Sequence, residues 1–180
     1  ALVEAAVLQK QSNKAALDFL RDFLGTNPKA MAVRGAYARL FVAERDLPSA
    51  RDQFKILVDA NRSNVEVLYE VALLAMQIED WSIAETQLKQ LLTMPFRDRE
   101  LLQLHLGQIA EEQKHYDEAL ARYRDIQTGE HLLSAQIRQS AVIAKQGNLD
   151  AARTFLQQAI PINEQQRVQL ILAESQLLRD

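Results

Sequence analysis

Cysteine is missing altogether from this chain of 180 residues, which removes disulfides, thiolate metal ligands and a cysteine nucleophile together. The absence does not choose a compartment, since a reducing cytosol and an oxidising periplasm both tolerate it. Glycine and proline are scarce, at five and four residues. The glycines are too dispersed for a P-loop or a GxGxxG turn, and no GxSxG elbow occurs. Neither sign of charge dominates: the net charge is −3, with Lys and Arg interspersed among Asp and Glu. A counterion-releasing nucleic-acid face is therefore not expected. No apolar run approaches the roughly 20 residues that cross a bilayer, and no signal peptide is visible. The chain starts at Ala1 already inside an apolar pattern and stops right after LILAESQLLRD. That reads as a piece excised from a longer protein.

What the chain does have is a helix-forming composition, rich in Ala, Leu, Gln, Glu and Arg, written with a period. KAALDFLRDF (Lys14–Phe23), PSARDQFKIL (Pro48–Leu57), SIAETQLKQL (Ser82–Leu91), HYDEALARYRDI (His115–Ile126) and DAARTFLQQA (Asp150–Ala159) share one phrase. They align on Ala16, Ala50, Ala84, Ala119 and Ala152, spaced 34, 34, 35 and 33 residues apart. Four places after each alanine stands Leu20, Phe54, Leu88, Tyr123 or Leu156, and three further on Phe23, Leu57, Leu91, Ile126 or Ala159. An i, i+4, i+7 stripe is one face of an α-helix. The alanine must be small because a partner helix crosses there. Twelve residues earlier come Ala38, Ala72, Gly107 and Ser140, again small, and Glu4 in the frayed first copy. One helical hairpin cannot bury such a stripe alone, whereas stacked hairpins roof one another.

A period of this length signals a solenoid. The segment LLQLHLGQIAEEQKHYDEALARYRDI resembles the tetratricopeptide repeat, with Leu106-Gly107 in a first helix, Tyr116 at the bend, and Ala119 and Tyr123 in a second helix. The resemblance covers nearly the whole chain, as repeats near 1–27, 28–62, 63–96, 97–129 and 130–162 and a partial one at 163–180. The usual Trp of the first helix is replaced by Arg34, Leu68 and Gln103. Turn residues such as Gly25-Thr-Asn-Pro28, Gly129 and Gly147-Asn148 punctuate the pattern. They predict first helices near 1–11, 29–45, 64–79, 98–113, 130–146 and 164–179, and second helices near 13–24, 48–60, 81–94, 116–127 and 149–160. The resemblance implies an all-α solenoid: one array of antiparallel helix pairs, wound as a right-handed superhelix, with no strand.

Chemistry is harder to find. His105, His115 and His131 are scattered, no two have the i, i+4 spacing of a helical metal site, and no HExxH occurs. They are expected on the surface or partly packed. Glu111-Glu112 and Asp117-Glu118 read as solvated faces and helix-start charges. No catalytic, cofactor-binding or metal-ligating residue is assigned, and the chain is not read as an enzyme.

In tetratricopeptide proteins the first helices line the concave face. Carried onto this register, that implies a partner-binding groove of Gly35, Arg39 and Val42; Tyr69, Leu73, Met76 and Gln77; Leu101, Leu104, Gln108 and Glu111; and Ile137, Ala141 and Lys145. Tyr69, Leu73, Met76, Leu101 and Leu104 are expected to form an apolar strip that anchors a protein or an extended peptide. Arg39, Glu111 and Lys145 would set its orientation. The Lys and Asn of the family's carboxylate clamp are replaced by Gly35, Tyr69 and Leu104, and by Arg39, Leu73 and Gln108, so that clamp is absent.

More narrowly, Leu106–Glu111 (LGQIAE), Tyr123, Gly129 and Gly147-Asn148-Leu149 resemble the LbcA-like lipoprotein adaptors among the long tetratricopeptide proteins of Gram-negative bacteria. That resemblance implies a periplasmic, outer-membrane-anchored setting, with the cytoplasm as the alternative. The expected role is a non-catalytic scaffold or adaptor that takes no cofactor and no nucleic acid. Two other readings stay open: a self-assembling repeat module, whose association could depend on excision, and a substrate-recruiting arm of a larger enzyme. Helix 164–179, with Val168, Leu170, Ile171, Leu172 and Leu177, is the stripe that would seek cover.

Overall fold

The computed structural model describes residues 1–177. It holds eleven α-helices and no strand among the described residues. They fall into two compact units, Ala1–Pro95 and Phe96–Asp180. The first contains α1 (Leu2–Gln11), α2 (Asn13–Thr26), α3 (Met31–Ala43), α4 (Leu47–Ala60), α5 (Val65–Gln77) and α6 (Trp81–Leu92). The second contains α7 (Arg99–Glu112), α8 (Tyr116–Arg124), α9 (Leu132–Lys145), α10 (Leu149–Leu156) and α11 (Glu164–Leu177). Of the predicted helix 164–179, positions 178 and 179 lie outside the described residues, as does the end of the partial repeat 163–180.

The spaced alanines are where helices touch. Ala16, Ala50, Ala84, Ala119 and Ala152 are all 0% exposed. Their partners Ala38 and Ala72 are equally buried, and Ser140, 1% exposed, donates its hydroxyl to the Ala152 carbonyl at 2.8 Å. Size is traded across the contact. In the fourth hairpin the knob is the ring of Tyr123, and a Cβ on Gly107 would lie 2.3 Å from its Cε1. Only glycine leaves room there. Glu4, in the first copy, is exposed.

One turn closes four of the hairpins. Arg45, Glu79, Lys114 and Gly147 each hold a left-handed φ, of 57°, 57°, 62° and 87°. The residue after each donates its N–H back to the helix just ended: Asp46 to Phe41, Asp80 to Ala75, His115 to Ala110 and Asn148 to Ile143. This is the six-to-one bond of a Schellman motif, which satisfies an orphan carbonyl at a helix end. The same residue then starts the next helix. Asp46, Asp80 and Asn148 accept from the N–H of Ser49, Ile83 and Ala151, and His115 alone of the four makes no such cap.

Two second helices are shorter than the periodicity predicts, 116–124 rather than 116–127 and 149–156 rather than 149–160. After α8 the chain turns Ile126 into the core, where it is 2% exposed, and Gly129 takes φ 81°. After α10, Ile160 precedes Pro161, and a residue before proline is pushed away from the helical region. The positions that lack Trp are repacked. Arg34, 9% exposed, donates to Gln53 Oε1 at 2.7 Å and to the Pro28 carbonyl at 3.0 Å. Two repeats on the pair is reversed, with Arg122 donating to Gln103 at 3.2 Å. In the repeat between them the corresponding residues are Leu68 and Gln87, and the buried Gln87 Oε1 has no hydrogen-bond partner.

Candidate binding site

The predicted groove residues divide between the units, and each unit shows a different arrangement of its first helices. In the first, α3 and α5 are joined by an ion pair between Arg39 and Glu70. The Glu70 carboxylate also lies over Gly35, with Oε1 3.5 Å from where a Cβ would stand. Arg39 and Gln77 are exposed, and Val42, Tyr69, Leu73 and Met76 are half-buried. That leaves Tyr69, Leu73 and Met76 with part of their apolar surface at solvent.

In the second unit the first helices α7 and α9 meet around a buried carboxylate. Glu111, 5% exposed, accepts from Lys145 Nζ at 2.8 Å through Oε1. Its Oε2 accepts from Tyr123 Oη at 2.8 Å and from Arg138 Nη1 at 3.1 Å. Burial alone would raise the Glu111 pKa, but the bonds from Lys145 and Tyr123 and the Arg138 charge hold it below the usual carboxylate range. Burial pushes the Tyr123 phenol well up, and the neighbouring carboxylate pushes it further. The bond to Glu111 raises the Lys145 ammonium. Arg138 continues the chain outward. With its amide oxygen facing the guanidinium, Gln108 accepts from Arg138 Nε (3.1 Å) and Nη2 (3.2 Å) and donates to His105 Nδ1 (3.0 Å). His105 is itself lowered by burial, so it stays neutral and can accept.

Two expectations are corrected by this geometry. Glu111 is not part of a solvated face: its carboxylate faces inward, towards α9 and the Tyr123 hydroxyl, while Glu112 beside it is exposed. Leu104 is not an open anchor either. It is 7% exposed and belongs to the core cluster of Ala119, Tyr123, Ile126 and Val142: three residues after Leu101 and four before Gln108 it shares their face of α7, but on the side packed against α8 and α9. Sequence reasoning picked Gln108, Glu111 and Lys145 but missed Arg138, Tyr123 and His105 as their partners. The only sequence signal was a lone Arg at 138, two turns from Lys145 on a largely apolar helix.

Against this network lies a cavity of about 400 Å³ between α7, α9 and α11. Its lining includes Glu111 and Arg138, the apolar Ile137, Ala141, Leu172 and Ala173, and the polar Ser134, Gln169 and Gln176. A second cavity, of about 730 Å³, shares Ile137, Ala141, Ala173 and Gln176 and reaches Lys145 and Leu149. Together they make a cleft along α9 and α11 with an apolar floor and a charged rim, the composition of a ligand-binding groove.

Comparison with known proteins agrees with the helical pattern. The family model described as tetratricopeptide repeat matches residues 69–130. The TPR repeat-containing protein PA4667 of Pseudomonas aeruginosa is 38% identical over 74 residues, which is 41% of this chain. The chain spans 12% of that relative's length. Among solved structures, MamA has a TM-score of 0.67 at 13% identity, covering 96% of this chain and 94% of its own. YrrB, described as a TPR protein with an unusual peptide-binding site, has a TM-score of 0.66 at 16% identity, covering 97% and 87%. PilF of Pseudomonas aeruginosa follows at 0.63 and 16%, covering 97% and 83%. At these identities the structural likeness concerns the fold.

Proposed function

The chain carries tetratricopeptide repeats, a fold that serves as a protein-interaction scaffold, and from that premise we propose that it binds an extended peptide segment of a partner protein along its first helices. The observation that supports this most is the cleft between α9 and α11, where Ile137, Ala141 and Leu172 offer apolar surface beside Arg138 and Lys145. In the first unit, Tyr69, Leu73 and Met76 on α5 are half-buried and offer a separate apolar surface of their own. The buried Glu111 holds Arg138 and Lys145 in fixed positions, so their outward N–H groups are preorganised for a partner, which lowers the entropy lost on binding. The role is that of a non-catalytic adaptor. An envelope setting is proposed on the resemblance of Leu106–Glu111, Tyr123, Gly129 and Gly147-Asn148-Leu149 to Gram-negative lipoprotein adaptors.

The test is a selection of extended peptides from a displayed library against the wild-type chain, followed by affinity measurements on the selected sequences. Ile137→Asp should weaken binding by about tenfold or more, since a charge is set on the apolar floor. Tyr69→Ala and Met76→Ala should each weaken those peptides that bind the first unit. Affinities unchanged by all three substitutions would place the binding surface elsewhere.

A second reading is favoured by the exposure of Val168, Ile171 and Leu172 on α11, at 49%, 57% and 59%, and of Val3 on α1, at 81%. Apolar surface of this kind can drive self-association. Sedimentation velocity over a concentration series separates the readings: a monomer at all concentrations removes self-assembly.

A further inference from the structure

At the start of α7 and α9, three metal-ligating side chains converge from two parts of the sequence. Asp98 Oδ2 stands 2.8 Å from His131 Nε2, and Glu130 Oε1 stands 3.6 Å from the same nitrogen. All three ligand atoms lie within 4.8 Å of one another. We propose that Asp98, Glu130 and His131 form a binding site for a divalent transition-metal ion, with zinc as its preferred occupant, that clips the starts of α7 and α9 together.

The distances suit that ion. Zinc bonds of about 2.0–2.2 Å in a tetrahedron put neighbouring donors roughly 3.3–3.6 Å apart; the Glu130–His131 separation is at that range's upper end and the Asp98–His131 separation is below it. Only a small opening of the Asp98–His131 bond is needed, with the ion taking the place of the proton that Nε2 donates to Oδ2. In the neutral ring that proton is taken up at Nδ1 through solvent, leaving Nε2 to bond the metal, and only a doubly protonated ring releases one on binding. Asp98 is already oriented: its other oxygen, Oδ1, accepts the Leu101 N–H at 2.9 Å, the kind of outer support that holds a ligand in place. A further carboxylate approaches the same loop, since Glu100 Oε2 lies 4.0 Å from where a Cβ on Gly129 would stand. The choice of metal follows from the donors. The positive ends of α7 and α9 oppose any cation, zinc included, and the two carboxylates offset that charge. An imidazole nitrogen selects zinc over magnesium and calcium. The site is open to solvent on the Glu130 side, where that side chain is 82% exposed.

Chelator-treated chain titrated with zinc chloride in a calorimeter should bind one equivalent and unfold at a higher temperature with zinc than without. Glu130→Gln, which removes an exposed ligand and no packing, should weaken zinc binding by about tenfold or more. His131→Gln should abolish both the binding and the thermal shift, and magnesium or calcium at the same concentration should produce neither. Imidazole resonances should show zinc shifting His131 and leaving His115 in place. Absence of saturable zinc binding, binding unaltered in Glu130→Gln and His131→Gln, or a zinc shift confined to His115 would each overturn the proposal.

Discussion

In the first unit Arg39 and Glu70 join α3 to α5 with side chains 53% and 37% exposed, whereas in the second the carboxylate that joins α7 to α9 is 5% exposed and has three donors. The same task, tying adjacent first helices, is done once at the surface and once in the interior. An exposed pair is screened by water and contributes about 0–1 kcal/mol. A buried carboxylate is costly to desolvate and becomes tolerable only when its lone pairs are filled. Tyr123 is what makes the difference, because its hydroxyl reaches Glu111 from the second helix of the same hairpin. The interior version therefore couples α7, α8 and α9 at one point, and the surface version links only two helices.

The sharpest way to break the contrast is Glu111→Ala, which strands the Tyr123 hydroxyl in the core and leaves Arg138 and Lys145 facing each other. It should cost about 2–3 kcal/mol in denaturant unfolding, the scale of a buried group left unsatisfied plus a lost charged bond. Acid sharpens the comparison further. The folded Glu111 pKa lies below its unfolded value of about 4.3. Its contribution is thus complete above that value and is lost as pH falls through the folded pKa. His105, lowered by burial, acts in the same direction from about 6.5 downward. The wild type should lose stability more steeply than Glu111→Ala below about pH 4.3; parallel acid limbs would contradict the assignment.

A smaller effect of opposite sign is expected at Gln87. Gln87→Met removes a buried acceptor that nothing satisfies and should raise stability by about 1 kcal/mol, read as a shift of the denaturation midpoint. A loss would show that the amide has a partner in solution. Smallest of all is Arg39→Ala, for which the unfolding free energy should change by less than about 1 kcal/mol. A change as large as that at Glu111 would erase the distinction between the units.

Much of the architecture was legible in the amino-acid order because it rests on short-range periodicity. The alanines, the large residues four places on and the turn at Gly147-Asn148 all act within one hairpin. The left-handed turns at Arg45, Glu79 and Lys114 were hidden, since a helix-closing position of this kind advertises itself only when filled by glycine, as at Gly147. The Glu111 network was hidden for a different reason. Its partners on α9 stand 27 and 34 residues away, and a Glu-Glu pair near a helix end has the look of a solvated stripe until the neighbouring helix is in place. Leu104 was misplaced by the same limit: it shares a helix face with Leu101 and Gln108, and only the packed neighbours α8 and α9 show that its edge of that face is core. The convergence of Asp98 and His131, 33 residues apart, likewise has no local signature.

The contact between Gly107 and the Tyr123 ring imposes an order on how this hairpin can change over generations. A methyl at 107 cannot appear while the ring is present, so any lineage that moves toward alanine there must first shrink the residue at 123. Losing the tyrosine, however, takes the phenol from Glu111, and that carboxylate must then be replaced or lose its footing. Three positions spread over 17 residues therefore drift as a group or stand still.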